Sequence, residues 1–494
     1  MSTFAGNVLK LVTGIMIAQG LGVLVAPVIT RLFAPEAFGV AALFTSLTGI
    51  IGAVVCLRYE LSIMLPKTDE EASNLLGLSL FFVLIITGIS ALTIFFAGDV
   101  IAGLLNSPEL NKYLWLVPVS VFVSGTFLAL NYWNSRTKNF GRLSIARVVS
   151  SVANQTTKMG AGFAGFVSGG VLIGTGILGQ VISTFVLGWQ IWRDDRRLFK
   201  ANIQWEKMIV GLKRHKRFPI YNTWAALLNT ASQHLPAIML AFYFSPKVVG
   251  FYALGKIVLS MPISLVGGAV SQVFFQKASE AYNRTGNLSK IVEEVFKRLV
   301  SLGIFPILLL TLIGEDLFIV VFGQRWAEAG LYTQVLSIYM CFNLIAAPLG
   351  QLFSVLERQE VTLLVNILLF LFRFGALWFG GQTGDIIFTL CLFSLSGVLI
   401  YGGYSMWILH VAGLPLYNWW SSLFRSTFIS GTFIGLGWLV CFSLGLNSYS
   451  TLVVYFLCAI LYYIWIVRND YQLLNLLRGI RPIVKEKVNE DIYR

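Results

Sequence analysis

Apolar runs of membrane-spanning length alternate with short polar breaks along almost the whole chain. A helix needs about 20 mostly apolar residues to cross roughly 30 Å of hydrocarbon, because each backbone polar group must find its partner inside the segment. Apolar windows of this kind predict helices over 8–33, 38–64, 75–97, 114–133, 143–167, 170–192, 218–243, 248–275, 298–322, 329–356, 361–380, 385–409, 424–445 and 450–467. The run over 8–33 is too long for the apolar core of a secretory signal and lacks a small-residue cleavage site, so it reads as a retained helix. The pattern predicts an all-α polytopic membrane protein of about 14 transmembrane helices.

Lys and Arg alternate by side on this map, as short loops should under the positive-inside rule. One side holds Lys10, Arg58, Lys67, Arg136, Lys138, Arg142 and Arg147, the cluster from Arg193 to Arg217, the run from Lys277 to Arg298, Arg358, Arg425, and everything from Arg468 onward. The opposite side receives only Arg31, Lys112, Lys247 and Arg325, and three cations, Lys158, Lys256 and Arg373, lie within spans. Both termini are therefore expected in the cytoplasm.

Residues 34–43 read APEAFGVAAL and residues 245–254 read SPKVVGFYAL, matching at Pro35/Pro246, Gly39/Gly250, Ala42/Ala253 and Leu43/Leu254. Pro27 and Pro236 precede the two segments in similar places. The offset equals six predicted helices, which leaves both sets in the same orientation, as parallel repeats about an axis along the membrane normal. The expected organisation is a six-helix lobe over 1–192, a basic cytoplasmic linker over 193–217, a second six-helix lobe over 218–409, and two extra helices with a cytoplasmic tail over 410–494. In such transporters the substrate site lies between the repeats and access alternates as one rocks against the other.

Composition agrees with a bilayer protein: 56% of residues are hydrophobic, 12% are charged, and the mean hydropathy is +0.77. The net charge of +13 needs no nucleic-acid partner, since basic loops anchor at anionic membrane lipids. Cys56, Cys341, Cys391, Cys441 and Cys458 fall in apolar runs without metal-site or redox spacing. His234, alone within a span, reads as a packing residue. No cofactor, metal or catalytic residue is implied.

Ionisable groups deep in a span cost several kcal/mol and are functional candidates. Arg147, Ser151, Asn154 and Lys158 stand at i, i+4, i+7 and i+11, a single helical stripe about 16 Å long. The corresponding helix of the other half carries Thr362, Asn366 and Arg373 at the same relative positions. Helix 7 adds Asn222, Asn229 and Gln233, and helix 8 adds Lys256. Lys158, Arg373, Arg147 and Lys256 are thus the expected phosphate ligands, with the amides Asn154, Asn222, Asn229, Gln233 and Asn366 toward a glycan. Arg31, Arg58 and Glu60 are candidate gate or charge-partner residues; Arg58 and Glu60, two apart on a continuous helix, would point to different faces. No Asp or Glu falls at mid-membrane depth, which disfavours an exporter of cations.

The stretch TGIMIAQGLGVLVAPVITRLFAPEAFGVAALF, followed by LRYELSIMLPKTDEEASNL, resembles the opening of bacterial polysaccharide-biosynthesis flippases of the multidrug/oligosaccharidyl-lipid/polysaccharide exporter superfamily. The resemblance implies two six-helix lobes with two extra helices, cationic cavity residues, and transfer of undecaprenyl-diphosphate-linked oligosaccharide units to the periplasmic leaflet for O-antigen, capsule or exopolysaccharide. A polysaccharide polymerase and a chain-length regulator are the protein partners it implies. The alternatives on the same architecture are a lipid II flippase and a drug or cation antiporter. A membrane glycosyltransferase or polymerase would need reactive groups on a sizeable outer loop, whereas the longest polar one, 98–113, offers only Asp99 and Glu109.

Overall fold

The computed structural model describes residues 4–263 and 267–469, and among these no strand occurs. The predicted C-terminal tail beyond residue 469, with most of its basic residues, lies outside the described residues, as do residues 264–266 within the predicted span 248–275. Among the described residues ten helices are long and apolar enough to cross a membrane, and the chain is a multi-pass membrane protein.

The first helix, α1 (Phe4–Leu32), contains Pro27. It gives way at an extended Ala34 to α2 (Pro35–Gly52), whose first position is held by Pro35, a residue that lacks only an N–H with no intrahelical partner there. The sequence predicts one helix over 38–64, but α2 stops at Gly52 and the helix restarts as the short α3 (Tyr59–Ser62). Between them Leu57 and Arg58 adopt left-handed φ values of 46° and 63°, so the chain changes direction. The next helix, α4 (Asp69–Leu104), opens on an N-cap at which the Thr68 hydroxyl accepts from the Glu71 N–H, with three acids in the first turn where the helix dipole favours them.

After α5 (Pro108–Asn111) comes α6 (Leu116–Arg136). Its terminal Arg136 donates to the Asp69 carboxylate at 2.9 Å and to the carbonyls of Ile63 and Pro66, which fastens the loop between α3 and α4. Helix α7 (Phe140–Phe163) is followed by α8 (Gly169–Asn202), which continues well past the predicted membrane boundary at 192. On that extension a hydrogen bond from Arg193, with the nearby charges of Arg142 and Arg193, holds the Asp194 carboxyl below the usual range. The amphipathic α9 (Trp205–Arg214) buries Met208 near Gly77 of α4 and leaves Trp205, Lys207, Lys213 and Arg214 exposed.

A π-helical turn over Phe218–Asn222 leads into α10 (Thr223–Tyr243). The predicted span 248–275 is two helices, α11 (Pro246–Pro262) and α12 (Gly268–Thr285). There follow α13 (Ser289–Phe322), kinked at Ile313, then α14 (Ala327–Leu349), α15 (Gln351–Val355), α16 (Gln359–Gln382), α17 (Ile386–Val411), α18 (Leu416–Leu444) and α19 (Ser448–Asn469). Four predicted spans fall on helices outside the ten: α1, α7, α10 and the α11–α12 pair. The last three hold Lys158, the α10 amides and Lys256, so polarity lowers their hydropathy where the sequence places its candidate site.

The described chain forms two compact units. One comprises residues up to Val258 with Val321–Tyr332 and Glu360–Ser396; the other comprises Leu259–Val320, Thr333–Gln359 and the chain from Gly397. In the first, α7 packs along α1 and α8, and Ile29, Phe33, Ala37 and Leu172 form a small core with Met159 against it. The same unit brings the two matching decapeptides together. A Cβ on Gly39 would lie 1.7 Å from the Pro246 carbonyl oxygen, and one on Gly250 would lie 1.9 Å from that of Pro35. Small residues allow this backbone approach, which drives helix association where lipid supplies no hydrophobic contrast. In the second unit, Phe305 of α13 stacks on Tyr462 of α19 at 4.3 Å between ring centroids, within a core that also takes Ile434 of α18.

Candidate functional site

Pro236 lies inside α10. Having no N–H, it cannot bond the carbonyl four residues earlier, so the Ser232 oxygen is released from the helix ladder. Arg373 of α16, only 8% exposed, uses what is released: its Nη1 donates to the Ser232 hydroxyl at 3.1 Å and contacts the Ser232 carbonyl at 3.4 Å. The guanidinium also lies 5.7 Å from the centre of the Phe393 ring, within reach of a cation–π attraction. One residue along, the Gln233 carbonyl accepts from Lys256 Nζ at 2.8 Å. Two cations from different helices are therefore docked on one turn of α10. The next residue, His234, places Nδ1 3.2 Å from the Ser46 hydroxyl of α2, and Gly49 makes room for its ring, since a Cβ there would sit 2.6 Å from Nε2.

His234 also reaches the edge of a cavity of about 490 Å³ walled by α2, α6 and α8. Its polar lining is Thr45, Thr48, Ser120, Ser124 and Gln180. Thr45, Thr48 and Ser124 donate to carbonyls of their own helices, which satisfies their protons and leaves oxygen lone pairs for a hydroxyl-rich guest. These hydroxyls escape a reading focused on charge, although Thr45, Thr48, Gly49 and Gly52 stand at the i, i+3, i+4, i+7 spacing of a single helix face.

The α7 stripe has other neighbours. Ser151 donates to the Ala18 carbonyl of α1 at 2.8 Å, whereas Asn154 lies against Gly179 of α8. Asn154 is half-buried and its Oδ1 has no hydrogen-bond partner among the described residues. Arg147 and Lys158 are half-buried on the same helix. Among the described residues, neither they nor Lys256 have a carboxylate within ion-pair distance, and no hydrogen bond or ion pair joins Arg147 or Lys158 to the α10 turn.

Of the predicted amides, Gln233 Nε2 donates to Asn229 Oδ1 at 3.3 Å, and both residues are exposed. Asn222 is exposed at the end of the π-helical turn, and Asn366 is half-buried on α16. Arg31 is exposed at the end of α1. Arg58 and Glu60 correct the expectation drawn from their spacing: Arg58 Nη1 lies 3.5 Å from Glu60 Oε1. The helix does not continue between them, and the left-handed backbone at Arg58 turns its side chain back toward a carboxylate that is 1% exposed.

The sequence profile of a family described as polysaccharide biosynthesis protein matches residues 28–330. The chain belongs to that family. Within this polysaccharide biosynthesis family setting, a curated relative is the lipopolysaccharide biosynthesis protein WzxC of Escherichia coli (strain K12), 22% identical over 379 residues that cover 75% of this chain and 74% of the relative. Among solved structures, the lipid II flippase MurJ in an inward closed conformation matches with a TM-score of 0.75 at 12% identity, covering 93% of this chain and 99% of that one. An inward-facing multidrug resistance MATE family transporter of the MOP superfamily matches at 0.67 and 14% identity, covering 82% and 98%. At these identities the two structures establish the fold, a multi-span transporter fold shared by a lipid II flippase and a multidrug resistance transporter.

Proposed function

We propose that this member of the polysaccharide biosynthesis family is a flippase that moves undecaprenyl-diphosphate-linked oligosaccharide units from the cytoplasmic to the periplasmic leaflet of the inner membrane, by alternating access between two six-helix lobes, residues 1–192 and 218–409. The observation that carries this reading is Lys256, held within a span by a backbone carbonyl rather than by an acid, on the α10 turn that also receives Arg373. A half-buried cation within a span and without a fixed counter-charge is poised for a mobile one, and a diphosphate supplies it. The adjoining hydroxyl-lined cavity suits sugars, with Lys158, Arg147 and the amides of α7, α10 and α16 extending the polar surface.

The outer ends of the helices are tied together within the first unit. Trp326 donates to the Thr30 carbonyl at 2.8 Å, and Asn106 donates to the carbonyls of Ala241 and Phe242. With Gly39 and Gly250 in contact at the same end, these bonds form an outer gate, which must part for release. Both termini are cytoplasmic in this reading, and the membrane potential then favours export of a substrate with two net negative charges by about 5 kcal/mol per 100 mV. An antiporter of cationic drugs finds no support in such a site, and the polymerase and chain-length regulator would act on the delivered product.

Charge reversal tests the assignment. Arg373→Glu and Lys158→Glu, expressed in a strain lacking the chromosomal gene, should each abolish surface polysaccharide while the protein remains at normal levels in the membrane. Full polysaccharide production by both variants would remove the cationic site from the mechanism.

A further inference from the structure

Outside the transport site, the second unit contains a groove of about 450 Å³ between α13, α18 and α19. Each helix presents one face to it at the same spacing: Glu294, Lys297, Arg298 and Ser301 from α13, Ser422, Arg425, Ser426 and Ile429 from α18, and Tyr462, Trp465, Ile466 and Asn469 from α19. Positions i, i+3, i+4 and i+7 share one side of a helix, so the groove is built from three aligned faces.

Its chemistry is divided along its length. At one end stand three cations and one acid among the lining residues. Arg298 is paired with Glu294 at 3.0 Å, and Lys297 with Glu293 at 2.7 Å. Arg425 is exposed and has no carboxylate within ion-pair distance among the described residues; Ser422 and Ser426 flank it one turn and one residue away. The other end is apolar, formed by Ile429, Trp465 and Ile466 against Tyr462. That tyrosine is fixed, since its hydroxyl donates to the Ser301 carbonyl at 2.7 Å and accepts from Ser430 at 3.1 Å. Beside the groove, Phe424 and Phe428 are 75% and 64% exposed, as side chains facing acyl chains are.

We infer that this groove binds an anionic glycerophospholipid of the leaflet on the basic side of the membrane, its phosphate on Arg425 with Ser422 and Ser426 and one acyl chain along Ile429, Trp465 and Ile466. Charge complementarity selects an anionic over a zwitterionic headgroup, and the apolar wall selects a lipid over a free phosphate. The inference does not depend on the transported substrate, because none of these residues belongs to the transport site.

Native mass spectrometry and thermal-shift measurements on the full chain in detergent test it, with phosphatidylglycerol, phosphatidylethanolamine and glycerophosphoglycerol, the same headgroup without acyl chains, as separate probes. Phosphatidylglycerol should bind at least one copy and raise the melting temperature, and the other two should not. Arg425→Ala should weaken phosphatidylglycerol binding about tenfold, the loss of one charge-assisted contact, with Arg425→Lys retaining most of it and both variants matching the parent's melting temperature without lipid. Equal stabilisation by phosphatidylethanolamine, equal Arg425-dependent stabilisation by glycerophosphoglycerol, or unchanged phosphatidylglycerol binding by Arg425→Glu would each overturn the assignment.

Discussion

A single proline decides how the site holds its charge. Pro236 deprives the Ser232 carbonyl of its helical donor, and Arg373 takes a place at that carbonyl and at the Ser232 hydroxyl. Restoring the N–H should reverse this. Pro236→Ala is expected to return the Ser232 carbonyl to the helical ladder, leave the melting temperature unchanged or higher, and reduce surface polysaccharide at least fivefold, a factor that corresponds to about 1 kcal/mol; quantitative immunoblotting of the polysaccharide alongside a detergent melting curve checks both halves of the expectation. Arg58 and Glu60 teach a related lesson. Their separation of two residues excludes a contact on any regular helix, and the pair forms because the left-handed backbone at Leu57 and Arg58 ends the regularity. The carboxylate is thereby partnered on one oxygen, while Oε2 keeps no hydrogen-bond partner among the described residues.

At the scale of elements, the close crossing of α2 and α11 depends on the absence of two side chains. A methyl group at Gly39 or Gly250 would overlap the backbone oxygen of Pro246 or Pro35, and backbone cannot step aside as a flexible side chain can. Overpacking of this kind costs about 1–3 kcal/mol. Gly39→Val and Gly250→Val should therefore each lower the melting temperature in detergent, and the double substitution should cost less than the sum of the two because both break one shared contact. A fully additive result would show that the two crossings act independently. The same scale explains α9: its short length and strong amphipathicity make it a poor span but a good surface helix, anchored by Met208 and presenting its basic side chains outward.

For the molecule as a whole, the proposed outer gate and the hydroxyl-lined cavity predict one-sided access. In a cysteine-free background, Thr48→Cys should react with a membrane-impermeant thiol reagent in inside-out vesicles and be protected in right-side-out vesicles; equal labelling from both sides would contradict an outer gate held by Trp326, Asn106 and the Gly39–Gly250 crossing. Much of this molecule was written in its one-dimensional pattern. Length of apolar run determines a helical, multi-span protein, because the bilayer imposes the same requirement on each segment independently of its neighbours. The cations at depth are legible for the same reason, since their cost depends on position within a run. What only the tertiary structure decided are the relations between segments: the helix break that pairs Arg58 with Glu60, the two cations that converge on the turn opened by Pro236, and the hydroxyl cavity assembled from three helices. Each of these depends on which backbone atoms are left unsatisfied and which surfaces approach closely enough to use them, and neither property is encoded in spacing along a single helix.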